Sequence, residues 1–408
     1  MITPNEALKI ILENTEPLSE EKISLEKSYG RVLSRDIWAV ENLPSFDNSA
    51  MDGFAVQSNS LSGASETSPI VLPVQSVSKA GTSSPLSLKE KHAIRIMTGA
   101  PIPLGADAIA IKETTDSQSS DEVRFFYPAT GGDHIRKMGE DVKKDDLLLK
   151  KGTSLRSYEI SLLAAQGITQ FYVIGLPQVC VISTGDELVS PSSAISYGQI
   201  RNSNGPAISS SLAHWGVEAI ECEIVPDNSK KLEEVLRKKL SKNDLFIISG
   251  GVSVGDFDFT KETLEKMGFQ ILFWKAAIKP GKPLLFAKKM DSESPKYVFG
   301  LPGNPVSALV CLEEFVRVAL ENLKGKKPTY PSYHLKGNVT NSYVKPMNRQ
   351  QYIFCQVTEL ENQFQIDIIR PQGAAMMGMA TRANALALAP IGISQIKPGD
   401  FLNFRWLK

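Results

Sequence analysis

The residues with the clearest chemistry follow a short apolar run, Leu245-Phe246-Ile247-Ile248, which leads directly into Ser249-Gly250-Gly251-Val252-Ser253-Val254-Gly255-Asp256-Phe257-Asp258. Four successive apolar residues read as a strand buried on both faces. Glycines such as Gly250 and Gly251 let the backbone approach a ligand and turn N–H groups toward an anion, and Ser253 adds a hydroxyl. Asp256 and Asp258 are hard oxygen donors suited to Mg²⁺. Ligands of open α/β sheets bind beyond the C-terminal ends of strands, so the segment reads as a site for a phosphorylated ligand. The alternative is a plain glycine-rich turn before a helix.

Two more strand ends have the same character. Val181-Ile182-Ser183 leads into Thr184-Gly185-Asp186-Glu187-Leu188, where Asp186 or Glu187 is a candidate for Mg²⁺ or a ligand hydrogen bond, or for capping a turn. In Gly300-Leu301-Pro302-Gly303-Asn304-Pro305-Val306-Ser307, Asn304 suits an N-cap and Pro305 the first helical position. The helix would then aim its positive end at the loop, favouring an anion by about 0.3–1 kcal/mol when exposed; a rigid strand-to-helix connection is the alternative. Between these lies a basic loop with Lys275, Lys279 and Lys282, stiffened by Pro280 and Pro283. Each ammonium at about 4 Å attracts a unit anion by about 4 kcal/mol at an effective dielectric near 20, before desolvation.

Other motif readings fit less well. Gly251-Val252-Ser253-Val254-Gly255 matches the G-x-S-x-G nucleophile elbow, yet His334 is the only later histidine and lies in a β-like region. No GxGxxG fingerprint or Walker A sequence is present. Asp52-Gly53, within Phe46-Asp47-Asn48-Ser49-Ala50-Met51-Asp52-Gly53-Phe54-Ala55-Val56, is compatible with a hairpin turn.

The elements that must position these residues fall into four regions. A helix over Pro4–Asn14, with Thr3, Pro4 and Glu6 forming a capping box, opens a segment 1–45. Residues 46–145 read as a small β domain, and 146–175, with a helix over Ser157–Gln166, return to the first segment as one discontinuous, elongated domain. Residues 176–326 alternate strands (Val179–Ser183, Glu218–Val225, Leu245–Ile248, Gln270–Trp274, Tyr297–Phe299) with helices (Pro206–Trp215, Lys230–Leu240, Thr260–Met267, Val306–Leu323). This pattern implies a doubly wound parallel α/β domain. Residues 327–408 read as a C-terminal β domain. The 45 basic and 45 acidic residues cancel, giving no global field for nucleic acid or an anionic membrane. No apolar run is long enough to span a bilayer, and the N-terminus lacks the features of a signal peptide. Cys180, Cys222, Cys311 and Cys355 form no CxxC pair, which fits a reducing cytoplasm.

Taken together, FDNSAMDGFAV, IMTGAPIPLGADAI, GEDV at 139–142, STGDEL, GQIRNSNG, IISGGVSVGDFDFTK, FWKAAIKPGKPL and GLPGNPVSALV resemble the molybdopterin molybdenumtransferase family, of the MoeA and gephyrin E-domain type. The resemblance implies four domains, a homodimer, and a third domain similar to molybdopterin adenylyltransferases. It implies insertion of molybdate into adenylylated molybdopterin, with Mg²⁺-dependent release of AMP and molybdenum cofactor. The site would lie between the third domain of one subunit and the second domain of its partner. By this resemblance Asp52, Thr98 and Asp141 belong to the second-domain side, and Glu187, Asp227, Asp258, Lys275 and Lys279 to the third-domain side. Glu187, Asp256 and Asp258 would organise Mg²⁺, and the lysines would neutralise phosphate or molybdate. Thr184, Gly250, Gly251, Ser253, Lys282, Pro302, Asn304, Pro305 and Ser307 would shape the pocket. Arg349 matches a basic role in the last region, whereas Ala374 stands where the family pattern has a small hydroxyl residue. A molybdopterin adenylyltransferase would be the donor, and a molybdoenzyme or chaperone the acceptor. The competing functions are a non-catalytic dimeric scaffold and an adenylyltransferase.

Overall fold

The computed structural model describes residues 1–84, 86–117, 121–217, 219–251, 259–291, 294–327 and 332–407, so Ser253, Asp256 and Asp258 lie outside the described residues. The chain divides into two compact units: Met1–Ile23, Gly30–Ser34 and Tyr172–Lys408 form one, and Ser24–Tyr29 and Arg35–Phe171 the other.

The first unit is built on a six-stranded sheet in the order Ala219–Val225, Val179–Thr184, Leu245–Ser249, Pro295–Leu301, Leu285–Met290, Gln270–Trp274. The first four strands are parallel. Their side chains alternate between two cores, as the period of 2 requires. Leu245 and Ile247 join Val179, Val181, Ile208, Leu212 and Phe299 on one face. Phe246 and Ile248 join Cys180, Ile182, Leu232, Leu236 and Leu264 on the other. Helix Asn204–His214 therefore covers one face, and helices Ser229–Lys239 and Phe259–Lys266 the opposite one. The parallel core is extended by two antiparallel strands. One of them, Leu285–Met290, escaped the sequence pattern because its Lys288-Lys289 end blurs the apolar run.

The helix expected over Val306–Leu323 has three parts: α-helix Pro305–Cys311, a π-helical turn Leu312–Val316 and α-helix Arg317–Leu323. The N-terminal helix spans Pro4–Asn14 with the expected Thr3–Glu6 capping box, and it buries Ala7, Leu8 and Ile11 in the first core. In the C-terminal part, strands Leu335–Val339, Gln350–Leu360, Gln363–Ile368, Ala385–Ala389 and Phe401–Trp406 close into a ring. Closure leaves no free edge among the ring strands. Strand Ile278–Lys279 pairs with Gln350–Gln351, tying this barrel to the α/β layer.

The second unit carries a six-stranded sheet in the order Ala108–Ile111, Gly53–Val56, Ala93–Ile96, Ile70–Ser78, Glu122–Phe125, Thr115–Asp116. Phe54, Val56, Leu61, Leu72 and Phe125 fill one side of it, and Ala55, Ile94, Ile96 and Ile109 the other. Among the described residues no helix is long and apolar enough to cross a membrane.

Candidate functional site

In the first unit the strand ends form a cradle. Thr184 closes its strand with only 5% of its surface exposed, and Gly250 and Gly251 pass directly over it. A Cβ on Gly250 would lie 2.4 Å from the Thr184 carbonyl oxygen, and one on Gly251 would lie 2.8 Å from Thr260 Oγ1. Both glycines also hold left-handed φ angles, +95° and +61°, which other residues adopt only with strain. Glycine is required there by approach and by backbone angle alike. Around this crossing, Thr184 Oγ1, Thr260 Oγ1, Asp227 Oδ1 and Asn204 Oδ1 are buried with no hydrogen-bond partner among the described residues. Such groups cost about 1–3 kcal/mol each when left unmade, so the cluster is consistent with a polar ligand.

Charge gathers at the same end. Asp227 N–H donates to Asp186 Oδ1 at 3.0 Å. Burial, then the neighbouring Glu187 and Asp186 carboxylates, push the Asp227 carboxyl above its ordinary value. A cation would relieve that repulsion. No group of three or more His, Cys, Asp or Glu among the described residues is arranged to hold a metal by itself. Mg²⁺ is usually bound by one or two carboxylates together with substrate phosphates. These residues therefore fit an Mg²⁺ ion that arrives with a phosphorylated ligand, Glu187 and Asp227 being the carboxylates on hand.

A basic cleft of about 270 Å³ opens between the α/β layer and the barrel, lined by Lys279, Lys282, Pro302, Asn304, Ser307 and Arg349 among others. The expected anion site at the positive end of the helix is corrected by the backbone. Val306 and Ser307 N–H groups donate to the Ala374 carbonyl at 3.1 and 3.3 Å, so these first-turn amides are already engaged. Pro305 holds the first helical position, and Asn304 makes no side-chain cap bond. The positive character of the cleft comes from side chains. Of the three lysines, Lys279 and Lys282 line the cleft. Lys275, at φ +74°, places its ammonium 3.4 Å from the centre of the Trp274 ring. A fourth lysine, Lys345, gave no signal in the sequence. It is 4% exposed, and its ammonium donates to Pro390 and Ile393 carbonyls at 2.9 and 2.8 Å. Burial first, and the charge of Lys279 next, hold its pKa below the usual lysine value.

The second unit has its own cleft, of about 360 Å³, lined by Asp52, Arg95, Thr98 and Lys112 among others. Thr98 donates its N–H and its hydroxyl to Asp52 Oδ1, at 2.7 and 2.8 Å. These two bonds, with smaller effects from Lys112 and Arg95, hold the Asp52 carboxyl below its ordinary value. Gly53 does more than turn the chain: it opens strand Gly53–Val56, where a Cβ would lie 2.1 Å from the Ala110 carbonyl oxygen. Asp141 is exposed on a segment whose N–H bonds the Leu43 carbonyl, and it does not line this cleft. Arg95 and Lys112 lie outside the acidic motif and were not anticipated.

Comparison with known proteins covers the whole chain. Residues 2–167 match the family model described as the MoeA N-terminal region (domain I and II), and residues 180–322 the one described as a probable molybdopterin binding domain. The molybdopterin molybdenumtransferase of Haemophilus influenzae is 36% identical over 403 residues, which covers 98% of this chain and 97% of the relative. That of Staphylococcus epidermidis is 34% identical over 406 residues, covering 98% and 94%. The crystal structure of a molybdopterin biosynthesis MoeA protein from Pyrococcus horikoshii aligns with a TM-score of 0.79 at 28% identity, over 99% of this chain and 98% of that one. Likeness of this extent includes the β-rich parts as well as the α/β layer, and the chain belongs to the molybdopterin molybdenumtransferase family, enzymes of molybdenum cofactor biosynthesis.

Proposed function

We propose that the protein inserts molybdate into adenylylated molybdopterin in an Mg²⁺-dependent reaction that releases AMP and molybdenum cofactor. The observation that carries this reading is the shared wall between cradle and cleft. Asn204, one of the residues with an unpartnered atom in the cradle, donates to the Gly303 carbonyl at 2.8 Å. Pro302 and Asn304, on either side of Gly303, line the basic cleft. A phosphorylated ligand in the cradle would thus lie one loop away from an oxyanion held by Lys279, Lys282 and Arg349. In the cradle, Thr184 and Thr260 hydroxyls orient the ligand, and Glu187 and Asp227 are the carboxylates to hold Mg²⁺. The ion's chemical contribution is to neutralise charge on the phosphoanhydride as water displaces AMP. In the cleft, the cations collect the molybdate dianion and exclude neutral solutes by charge.

The test is incubation of the purified protein with adenylylated molybdopterin, Mg²⁺ and molybdate, following AMP and cofactor together. Formation of both, each lost when Mg²⁺ is chelated, is expected; no AMP release would overturn the reading. We also propose a homodimer in which Asp52 serves the partner's site, with a molybdopterin adenylyltransferase as donor and a molybdoenzyme or its chaperone as acceptor. Mixing Asp52→Asn and Lys279→Ala proteins, each impaired alone at limiting molybdate, should then raise activity above either through mixed dimers. A monomer by light scattering at full activity would disprove the shared site.

A further inference from the structure

The helix that begins at Pro305 changes character at its middle. Its π-helical turn, Leu312–Val316, is wider than an α-turn. Two consecutive residues there, Glu313 and Glu314, reach the same guanidinium, that of Arg405 on barrel strand Phe401–Trp406. Glu314 is only 3% exposed. Its Oε1 accepts from Arg405 Nη2 at 2.8 Å, Arg405 Nε at 3.1 Å and the Tyr333 hydroxyl at 2.8 Å. The Tyr333 ring lies 6.2 Å from that of Tyr352, which is itself buried and lines the basic cleft.

The cluster therefore joins the two bodies whose surfaces make the cleft. Ser307 comes from the helix; Arg349, Gln351 and Tyr352 come from the barrel side. At the mouth of the cleft they are tied by the Val306 and Ser307 amides on Ala374, and farther along the helix by the charged cluster. Stability does not call for such a device, because a buried ion pair replaced by well-packed apolar residues is often neutral or more stable. What apolar residues would not supply is a fixed relative placement of helix and barrel.

We propose that Arg405 and Glu314 are positioning residues for oxyanion capture, holding helix and barrel at the separation that lets Ser307, Lys279 and Arg349 meet one anion. The inference rests on the cleft being the oxyanion site. The experiment is calorimetric titration of the full-length protein with molybdate and with sulfate, alongside thermal unfolding, for the parent, Lys279→Ala, Glu314→Met/Arg405→Met and Arg405→Lys. The double apolar variant should melt at or above the parent temperature, yet bind molybdate about five- to tenfold more weakly and discriminate less against sulfate, because small misplacements of binding groups are costly. Arg405→Lys, which keeps the charge but loses the planar fork, should weaken binding about threefold. If the double variant folds and keeps the parent affinity and selectivity, the inference is wrong. If it does not fold, Arg405→Lys decides: parent affinity and selectivity overturn the inference. Should the parent bind no molybdate, or Lys279→Ala bind it as the parent does, the cleft reading fails and the positioning role falls with it.

Discussion

Lys275 and Lys279 are four residues apart and finish in different surroundings: one ammonium lies over Trp274, and the other lines the cleft beneath which Lys345 is buried. Removing the cleft cation should matter most to a dianion. Lys279→Ala is expected to raise the molybdate concentration for half-maximal insertion about tenfold, equivalent to about 1.4 kcal/mol. Lys279→Arg should recover part of the loss, because its fork differs from an ammonium in shape and reach. Steady-state assays across a molybdate series check both. Asp52 allows a pH prediction at the same scale. Its folded-state pKa is depressed by Thr98, so whatever stability the pair contributes is complete above the unfolded value, about 3.9, and is lost as pH falls through the lower folded value. Thr98→Ala removes the hydroxyl bond but keeps the larger N–H one, so it should move the Asp52 midpoint up only part of the way toward the ordinary range. Carboxyl-carbon NMR titration reads this directly, and an unmoved midpoint would show that the Thr98 hydroxyl is not one of the causes.

At the scale of elements, close backbone approaches dominate. Gly250→Ala would press a methyl to 2.4 Å from the Thr184 carbonyl oxygen at a left-handed φ. Gly53→Ala would do so at 2.1 Å from Ala110. Each should lower stability by about 1–3 kcal/mol, read from denaturant unfolding. A parent-like midpoint for either would mean that the strands separate freely. Helix Ser157–Ala165 offers a pH test. Glu159 accepts from the Arg156 N–H and guanidinium, and the guanidinium bond comes first among the causes that bring its pKa down to about 2. The arginine is largely exposed, so solvent screens the pair and its contribution is small. Being depressed in the folded state, the group contributes fully above about pH 4.3, and the contribution is lost progressively as pH falls through about 2. Glu159→Gln should therefore be less stable than the parent at pH 7, with the difference shrinking as pH falls through about 2. A difference that persists unchanged into acid would point to packing instead.

At the scale of the molecule, the division into two compact units predicts two calorimetric transitions. A ligand that binds only the folded form stabilises it by about 2.7 kcal/mol at a hundred times its Kd. The basic cleft belongs wholly to the unit containing Tyr172–Lys408. Molybdate should thus raise the transition of that unit and leave the other in place. An equal shift of both transitions would mean that the units unfold as one.

Much of this architecture was legible in the chain because it depends on local pattern. The run Leu245-Phe246-Ile247-Ile248 could only be a strand buried on both faces, and its neighbours in the parallel sheet carry the same signature. The Thr3–Glu6 capping box and the helix it opens need only short-range bonds, and they form as expected. The eight motif segments together pointed to the family that the full-length matches show. Tertiary structure decided what depends on long-range contact. It closed five strands into a barrel, placed the Ala374 carbonyl on amides that would otherwise meet an anion, and turned Lys275 onto Trp274. It also brought Lys345, Arg405 and Glu314 behind the cleft. The reason is physical. A strand or cap is specified by neighbours a few residues away, whereas a cleft is made by surfaces remote in sequence, whose charges acquire their surroundings only when those surfaces pack.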